Sequence, residues 1–309
     1  MRMSCAGCRL PIFPMPPNNN NLTSVLSRQM QRLRLQVDRI DLRMLQLLQQ
    51  RTKLSGQIGK MKRRHGAVIY VPERERELIA RLTRLSKGRP SARAVAAIYR
   101  EILSSSRCAQ GQPPLGLLQA SVATVLPASR WRFGACDQFA PKKSWAELAR
   151  GLEKGDLSLA LLTGEDLLKV LQVSRQRTGF LSRLTVAGDF FPTTDSTTPL
   201  AQRVFIITPR GKGALAEAGR ILILIECKST QNAIKSLLRS MPDLPIQAEH
   251  LTLRAANARR TPALALVRLS LTQPADRTGV TGRLLAAAKA LNIAISILGI
   301  YPDTEAYGG

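Results

Sequence analysis

The chain has 309 residues, which is too long for one typical domain and suits two or three. Hydrophobic residues make up 44% of it, enough for a sizeable core, and no apolar run reaches the ~18 residues that a membrane span needs. The formal net charge of +25 indicates an anionic partner, an anionic substrate or a solvated basic surface. Aromatic residues amount to only 4%, which is poor for a surface that stacks on bases.

The cysteines do not form a recognisable framework. They are Cys5, Cys8, Cys108, Cys136 and Cys227. Their odd number and scattered positions argue against disulfides and favour a reducing cytoplasm. Cys5 and Cys8 form a CxxC pair, but no second pair or histidine cluster completes the four ligands of a zinc site, so we expect no metal. Residues 1–22 predict a disordered tail rather than a signal peptide, and residues 303–309 a second tail.

Residues 23–64 predict one long helix because they contain no proline. Mostly apolar residues recur along it at alternating spacings of four and three, as in a coiled coil. These seam positions are Leu33, Val37, Ile40, Met44, Leu47, Arg51, Leu54, Ile58 and Met61. The helix would be about 60 Å long at ~1.5 Å per residue. We expect it to pack on a partner of equal length, most simply a second copy of the chain.

Two shorter helices are predicted to follow. Pro72 suits a first helical position and opens the second helix, which ends at Gly88 and Pro90. Ser91 can cap a third helix that reaches about Gln110.

The pattern changes after a proline-containing linker at residues 110–114. Residues 111–218 mix strand and helix signals. Residues 219–302 give a βαββαβ order, which is typical of a ferredoxin-like fold. The strands of this second segment are predicted at 221–227, 246–253, 263–271 and 293–300, and its helices at 231–241 and 280–291. The predicted fold is therefore multidomain: three helices, an α/β region and a ferredoxin-like unit.

Charged side chains interrupt the apolar seam of the first helix. Arg51 occupies a seam position, where a guanidinium must be paired or must bind an anion. Lys62 lies only ~20° around the helix and ~16 Å along its axis from Arg51, so the two cations could close on a small dianion. Arg34 lies ~25 Å and ~100° from Arg51, so it could reach the same pocket only from an antiparallel partner. This geometry favours a dimer with shared sites.

The other two helices also direct polar groups inward. Glu75 falls on the apolar face of the second helix, and Ser106 and Gln110 share one face of the third. Together with Arg34, Arg51 and Lys62 of the first helix, these residues make the segment 33–110 resemble the all-helical chorismate mutases. The matching stretches are Leu33-Arg34, Ile40-Asp41, Leu47–Arg51, Gly59–Lys62, Ile69–Glu75 and Ile102–Gln110.

The resemblance implies a chorismate mutase domain over residues 23–110, which rearranges chorismate to prephenate in phenylalanine and tyrosine biosynthesis. It implies that Arg51 and the partner's Arg34 hold the two substrate carboxylates. Lys62 and Gln110 would donate to the ether oxygen of the breaking bond, and Glu75 would accept from the substrate hydroxyl.

Two further roles and one departure follow from the same resemblance. Arg74 would flank the site, and Ser106 would assist at a carboxylate. Val71 stands where many members have aspartate, a position expected to contribute mainly backbone. The rearrangement is unimolecular, so it needs no nucleophile, metal or cofactor. Fixed donors at the ether oxygen would accelerate it, because they stabilise the transition state more than the ground state.

The remainder of the chain distantly resembles the prephenate dehydratase region and the ACT domain of bifunctional chorismate mutase/prephenate dehydratases. The stretches involved are Phe139, Ser144–Leu148, Glu153–Leu157, Leu161 and Ile297–Pro302. The dehydratase Thr-Arg-Phe motif has its nearest counterpart at 201–205, with Gln202 in place of the catalytic threonine. We therefore interpret residues 111–218 as a degenerate dehydratase-like region.

Residues 219–302 form the ACT-like unit. The Gly-Ala-Leu motif of the phenylalanine site in ACT domains is replaced here by Asn232-Ala233-Ile234. This favours a packing or dimerisation module over feedback by phenylalanine.

Two other functions stay open from the sequence. One is a bifunctional enzyme that retains dehydratase activity. The other is a non-catalytic, basic nucleic-acid-binding or assembly protein. The net charge favours a nucleic-acid binder, but the basic residues are spread through all regions and no nucleic-acid motif is recognised.

Overall fold

The structure is a computed structural model that describes residues 20–191, 199–210, 217–227, 229–242, 246–253 and 263–301. Most of the predicted N-terminal tail, the Cys5–Cys8 pair and the tail at 303–309 lie outside these ranges. The first helix, α1, spans Asn20–Arg64 and so begins slightly earlier than predicted. None of the described helices is both long and apolar enough to cross a membrane.

The chain divides into two units, residues 1–51 and 52–309. The described part of the first unit is helical and belongs to α1. Its predicted seam is exposed: the exposed fraction is 52% for Leu33, 59% for Ile40 and 56% for Leu47.

The second unit begins with the last turns of α1 and two further helices. Helix α2 spans Pro72–Leu85 and has proline in its first turn, as predicted. Helix α3 spans Ala92–Ala109, and the Ser91 hydroxyl accepts a hydrogen bond from the Ala94 amide at 3.3 Å, which confirms the predicted cap. Helices α2 and α3 pack on each other.

An α/β region follows. Its strands are β1 (Leu115–Leu118), β2 (Phe139–Lys142), β3 (Leu159–Thr163), β4 (Leu184–Phe190) and β5 (Val204–Pro209). Its helices are α4 (Val122–Phe133), α5 (Trp145–Lys154), α6 (Gly164–Gln172) and α7 (Ser174–Arg183). The sheet order is β2-β1-β3-β5-β4, with β1 parallel to β2 and β3 and with β5 antiparallel to β3 and β4.

The central strand β3 explains how this region builds its core. Leu159 and Leu161 belong to one apolar cluster, whereas Ala160 and Leu162 belong to another. Successive side chains of a strand point to opposite faces of the sheet, so both faces are covered. All five residues of β3 are buried, as its continuous apolar sequence requires.

The C-terminal part of the second unit, here called the ferredoxin-like unit, has the predicted order of strands and helices. It comprises β6 (Glu217–Cys227), α8 (Thr230–Arg239), β7 (Ile246–Leu253), β8 (Ala263–Asp276), α9 (Arg277–Ala290) and β9 (Ala294–Tyr301). The strands form an antiparallel sheet in the order β7-β8-β6-β9. Along β6, Ile221 and Ile223 face the helical side, whereas Leu222 and Leu224 join the core of the α/β region. The two sheet regions therefore share one continuous core.

Candidate active site

The end of α1 approaches the end of α3 very closely. A Cβ built on Gly59 would lie 2.5 Å from the Gln110 Cα and 2.8 Å from its carbonyl carbon. Only glycine therefore fits at this position without moving α3. The Arg63 guanidinium also donates to the Gln110 carbonyl oxygen. Because Lys62 is three residues after Gly59 and shares its helix face, the contact brings Lys62 and Gln110 to the same place.

Lys62 points towards the start of α2. Its Nζ donates to the Ile69 carbonyl oxygen at 2.9 Å. Burial lowers the pKa of Lys62, the positive charge of Arg74 lowers it further, and the negative charge of Glu75 opposes both. Lys62 thus lies within electrostatic range of two other predicted site residues.

Glu75 is held by an arginine that the sequence analysis did not identify. The Arg107 Nη1 donates to both carboxylate oxygens of Glu75, at 2.6 and 2.7 Å. The side chain of Glu75 keeps 17% of its surface exposed, while that of Arg107 keeps only 3%. The Glu75 carboxylate is therefore fixed from one side and still reaches solvent.

The rest of the Arg107 guanidinium is bound by the α/β region. Nη2 donates to the Asp137 Oδ2 at 2.7 Å and to the Phe133 carbonyl oxygen, and Nε donates to the Asp137 Oδ1 at 3.3 Å. Burial alone would lower the pKa of Arg107, but the charges and hydrogen bonds of Glu75 and Asp137 raise it above its ordinary value. Arg107 is therefore permanently charged.

Tyr70 covers this ion pair. Its ring meets Phe133 edge-on at 5.5 Å between ring centroids, and the Arg107 guanidinium lies 5.6 Å from its centroid. Burial raises the pKa of Tyr70, so its hydroxyl stays protonated. The ring limits water access to Arg107, which strengthens the electrostatic interactions there.

Ser106 and Gln110 hydrogen-bond within the last turns of α3. The Ser106 hydroxyl is buried and donates to the Ile102 carbonyl oxygen at 2.7 Å. The Gln110 amide nitrogen donates to the Ser106 carbonyl oxygen at 3.2 Å. The Gln110 amide oxygen is buried and has no hydrogen-bond partner within the described part of the chain. A buried amide of this kind has unused hydrogen-bonding capacity beside Lys62.

The predicted residues thus fall into two groups. Lys62, Arg74 and Glu75 lie close together in the second unit, with Gln110 beside the turn that carries Lys62. Arg34 and Arg51 belong to the first unit, where Arg34 is exposed and Arg51 is partly buried. Their roles and that of Ser106 stay predictions.

Arg107 and Asp137 are the functional candidates that the sequence analysis missed. Arg107 follows the inward-facing Leu103 by four residues, so helical spacing alone could have identified it. Asp137 gave no comparable signal, because it lies in the loop between α4 and β2 and reaches Arg107 only through the tertiary fold.

The dehydratase-like motif has a different environment. Gln202 is exposed in the turn before β5. Arg203 is fully buried and donates to Asp189 at 2.6 Å, and Arg268 of β8 donates to the same carboxylate at 3.0 Å. Arg203 therefore contributes to the junction with the ferredoxin-like unit.

Comparison with known proteins identifies the helical segment. Residues 33–111 match the family described as chorismate mutase type II. These residues form a chorismate mutase domain. The bifunctional chorismate mutase/prephenate dehydratase of Aquifex aeolicus is 42% identical over 81 residues, which are 25% of this chain and 22% of that protein. The T-protein of Haemophilus influenzae is 35% identical over 81 residues, 26% of this chain and 22% of that protein. The chain thus spans about a fifth of the length of these two curated relatives.

More distant relatives extend beyond the mutase domain. The bifunctional chorismate mutase/prephenate dehydratase of Pseudomonas aeruginosa is 24% identical over 143 residues, 45% of this chain and 39% of that protein. Among solved structures, the prephenate dehydratase of Streptococcus mutans is 13% identical with a TM-score of 0.38, and the match covers 61% of this chain and 97% of that chain.

The predicted multidomain fold is confirmed: a helical mutase domain, an α/β region and a ferredoxin-like unit.

Proposed function

We propose that this protein is a chorismate mutase, which converts chorismate to prephenate by a Claisen rearrangement. The observation that supports this most strongly is the meeting of a lysine, a carboxylate and an amide from three helices of the mutase domain. Lys62 comes from α1, Glu75 from α2, and Gln110 from the end of α3. All three are held by neighbouring groups before any substrate arrives.

The proposed roles follow from the charge changes of the reaction. The ether oxygen of chorismate becomes more negative as its C–O bond breaks, and protonated Lys62 with the Gln110 amide would donate to it. Glu75 would accept from the substrate hydroxyl, with Arg74 beside it. Donors fixed in advance need no reorganisation when charge develops, so they lower the barrier rather than merely binding substrate.

We propose that the two substrate carboxylates are held by Arg51 and by the partner subunit's Arg34 in a homodimer, with Ser106 assisting. Support for a dimer comes from the exposed apolar seam of α1. Residues such as Leu33, Ile40 and Leu47 are more than half exposed, and a continuous patch of this kind marks an interface. Clamping both carboxylates would also hold chorismate in its compact, reactive conformer.

We further propose that residues 111–218 are a degenerate dehydratase-like region and that residues 219–302 are an ACT-like packing unit. Support comes from Gln202 at the catalytic threonine position and from the commitment of Arg203 to a buried ion pair. We expect the purified chain not to convert prephenate to phenylpyruvate.

We also propose a cytoplasmic location, which the free thiols of Cys108 and Cys136 support. The proposed activity supports a role in aromatic amino acid biosynthesis.

The direct test is the loss of chorismate absorbance in the presence of the purified full chain. Wild type is expected to turn over chorismate, and Arg51→Ala to reduce kcat/KM by about 100- to 1,000-fold, since it removes a charged substrate contact. Lys60→Ala is the matched control, because Lys60 is an exposed cation on the same helix. Equal inactivity of wild type and Arg51→Ala would overturn the proposal. Salt-sensitive retention on nucleic acid without turnover would then favour a binding protein.

A further inference from the structure

Arg107 joins the mutase domain to the α/β region through one buried guanidinium. On the mutase side it donates to both carboxylate oxygens of Glu75. On the other side it donates to Asp137 and to the Phe133 carbonyl oxygen, both of which belong to the α/β region. A guanidinium held at several points has little freedom to rotate, so it transmits the position of Asp137 to Glu75.

The burial of the three side chains shows which of them is the anchor. Asp137 has 1% of its side-chain surface exposed and Arg107 has 3%, whereas Glu75 retains 17%. Asp137 is itself fixed by the Ser104 hydroxyl, which donates to Oδ2 at 2.8 Å and accepts from the Asp137 amide at 3.1 Å. Asp137 of the α/β region is therefore the most firmly held of the three side chains, and Glu75 is the one that solvent reaches.

The charges are arranged to keep Glu75 a good acceptor. One guanidinium is shared between two carboxylates, so the Glu75–Arg107–Asp137 cluster carries a net negative charge. Lys62 lies within electrostatic range of both Glu75 and Arg74. Arg107 can thus orient the Glu75 carboxylate without cancelling the negative charge of the whole cluster.

We infer that Arg107 is a positioning residue for Glu75, and that Asp137 of the α/β region holds Arg107 in the orientation this requires. The inference rests on the proposed mutase function. Its consequence is that the mutase site is completed by a region outside the mutase domain. The degenerate dehydratase-like region then has a structural role that does not depend on dehydratase activity, because it supplies Asp137, which holds Arg107 in place.

A second buried cluster of aspartate and arginine serves as a control for the Arg107–Asp137 ion pair. Asp189 is also a buried aspartate, and it accepts from Arg203 of its own region at 2.6 Å and from Arg268 of the ferredoxin-like unit at 3.0 Å. This second cluster joins the α/β region to the ferredoxin-like unit and includes none of the proposed mutase residues. Neutralising either aspartate removes a buried ion-pair partner of an arginine, so both changes should lower stability. Only the change at Asp137 should alter catalysis.

The test compares Asp137→Asn with Asp189→Asn in the full chain, by steady-state kinetics with chorismate and by thermal unfolding. We expect both variants to have a lower Tm. Asp137→Asn is expected to lower kcat about tenfold or more with a smaller change in KM, since small misplacements of a catalytic group cost up to ~100-fold. Asp189→Asn is expected to keep the wild-type kcat when rates are referred to folded protein.

Ser104→Ala covers the case in which Asp137→Asn fails to fold. It removes the hydroxyl that fixes Asp137 but leaves every charge in place, so we expect a smaller loss of kcat and a smaller fall in Tm than in Asp137→Asn. Active wild type with unchanged kcat in the folded variants of Asp137 and Ser104 would overturn the inference and leave the proposed function intact. Inactive wild type would instead overturn the proposed function itself.

Discussion

The mutase helices and the sheet-containing regions differ sharply in how they bury apolar residues. Helix α2 has no fully buried residue, and the seam of α1 is exposed, whereas every residue of β3 is buried. The sheets complete their cores within one chain, but the apolar residues of α1 and α2 stay exposed or only partly buried. Stability therefore resides mainly in the sheet regions, while α1 and α2 keep polar groups accessible and depend on neighbours to complete their packing.

The largest effect on stability is expected in the sheet core. Leu161 has no exposed surface and packs between α4 and the sheet of the α/β region. Leu161→Ala removes buried methyl groups and leaves a cavity, so it should lower the free energy of unfolding by about 2–5 kcal/mol. Denaturant unfolding measures this change, and the chorismate turnover of the remaining folded protein should be unaltered.

Leu285→Ala is the control for that substitution, because 47% of the Leu285 surface is exposed on α9. It should change stability by less than about 1 kcal/mol, as exposed substitutions usually do. Equal destabilisation by the two variants would remove the contrast between buried sheet and exposed helix residues.

An intermediate effect is expected where two mutase helices touch. In Gly59→Ala the new Cβ would overlap the backbone of Gln110, so α1 and α3 must separate. Overpacking of this kind costs about 1–3 kcal/mol. Unlike Leu161→Ala, it should also lower kcat, since it moves Gln110 away from Lys62.

Gly56→Ala is the matched control for this contact. A Cβ at Gly56 would lie 3.6 Å from the nearest backbone atom of α3, which is an ordinary contact distance. If both alanine variants have wild-type kcat, the position of Gln110 does not matter for the reaction.

The smallest effect is a shift in the alkaline limit of activity. The pKa of Lys62 is lowered by burial and by Arg74, so the protonated donor is lost at a lower pH than for an ordinary lysine. The profile of kcat/KM, which reports the free enzyme, should therefore fall before pH reaches the usual lysine value. Lys62→Arg should move this fall to higher pH, and an unchanged alkaline limit in that variant would exclude Lys62 as the titrating donor.

The same shift has a defined consequence for stability. Because the pKa of Lys62 is lower in the folded state, the unfolded chain binds more protons between the folded and unfolded pKa values. Lys62 alone therefore makes the folded state more stable as pH rises through that window. Deprotonation of Lys62 should therefore abolish activity at alkaline pH without lowering the free energy of unfolding.

The sequence predicts elements well where local signals are strong. Pro72 and Ser91 mark the starts of α2 and α3 correctly, and the βαββαβ order of the last unit is confirmed. Helix α4 escaped prediction because it contains Pro127, and β1 because it has only four residues. In both elements tertiary packing overrides a weak or contrary local preference.

The site is predictable to the extent that it lies on helices. Lys62, Glu75 and Gln110 could be found from helical spacing and from resemblance, and the structure places Lys62 near the other two. The role of Asp137 could not be found, because it depends on how the α/β region packs against α3. The link between the two regions is therefore a property of the tertiary structure alone.

Shared sites in a homodimer are tested most directly by complementation between Arg34→Ala and Lys62→Ala, each of which we expect to be inactive by itself. In a dimer with shared sites, a mixed pair would contain one site with both residues intact and one with neither. Co-expression should then restore about a quarter of the wild-type activity, because about half of randomly assembled dimers are mixed. Mixed dimers that form in the expected proportion yet remain as inactive as either variant would contradict the claim that two copies converge on one dicarboxylate.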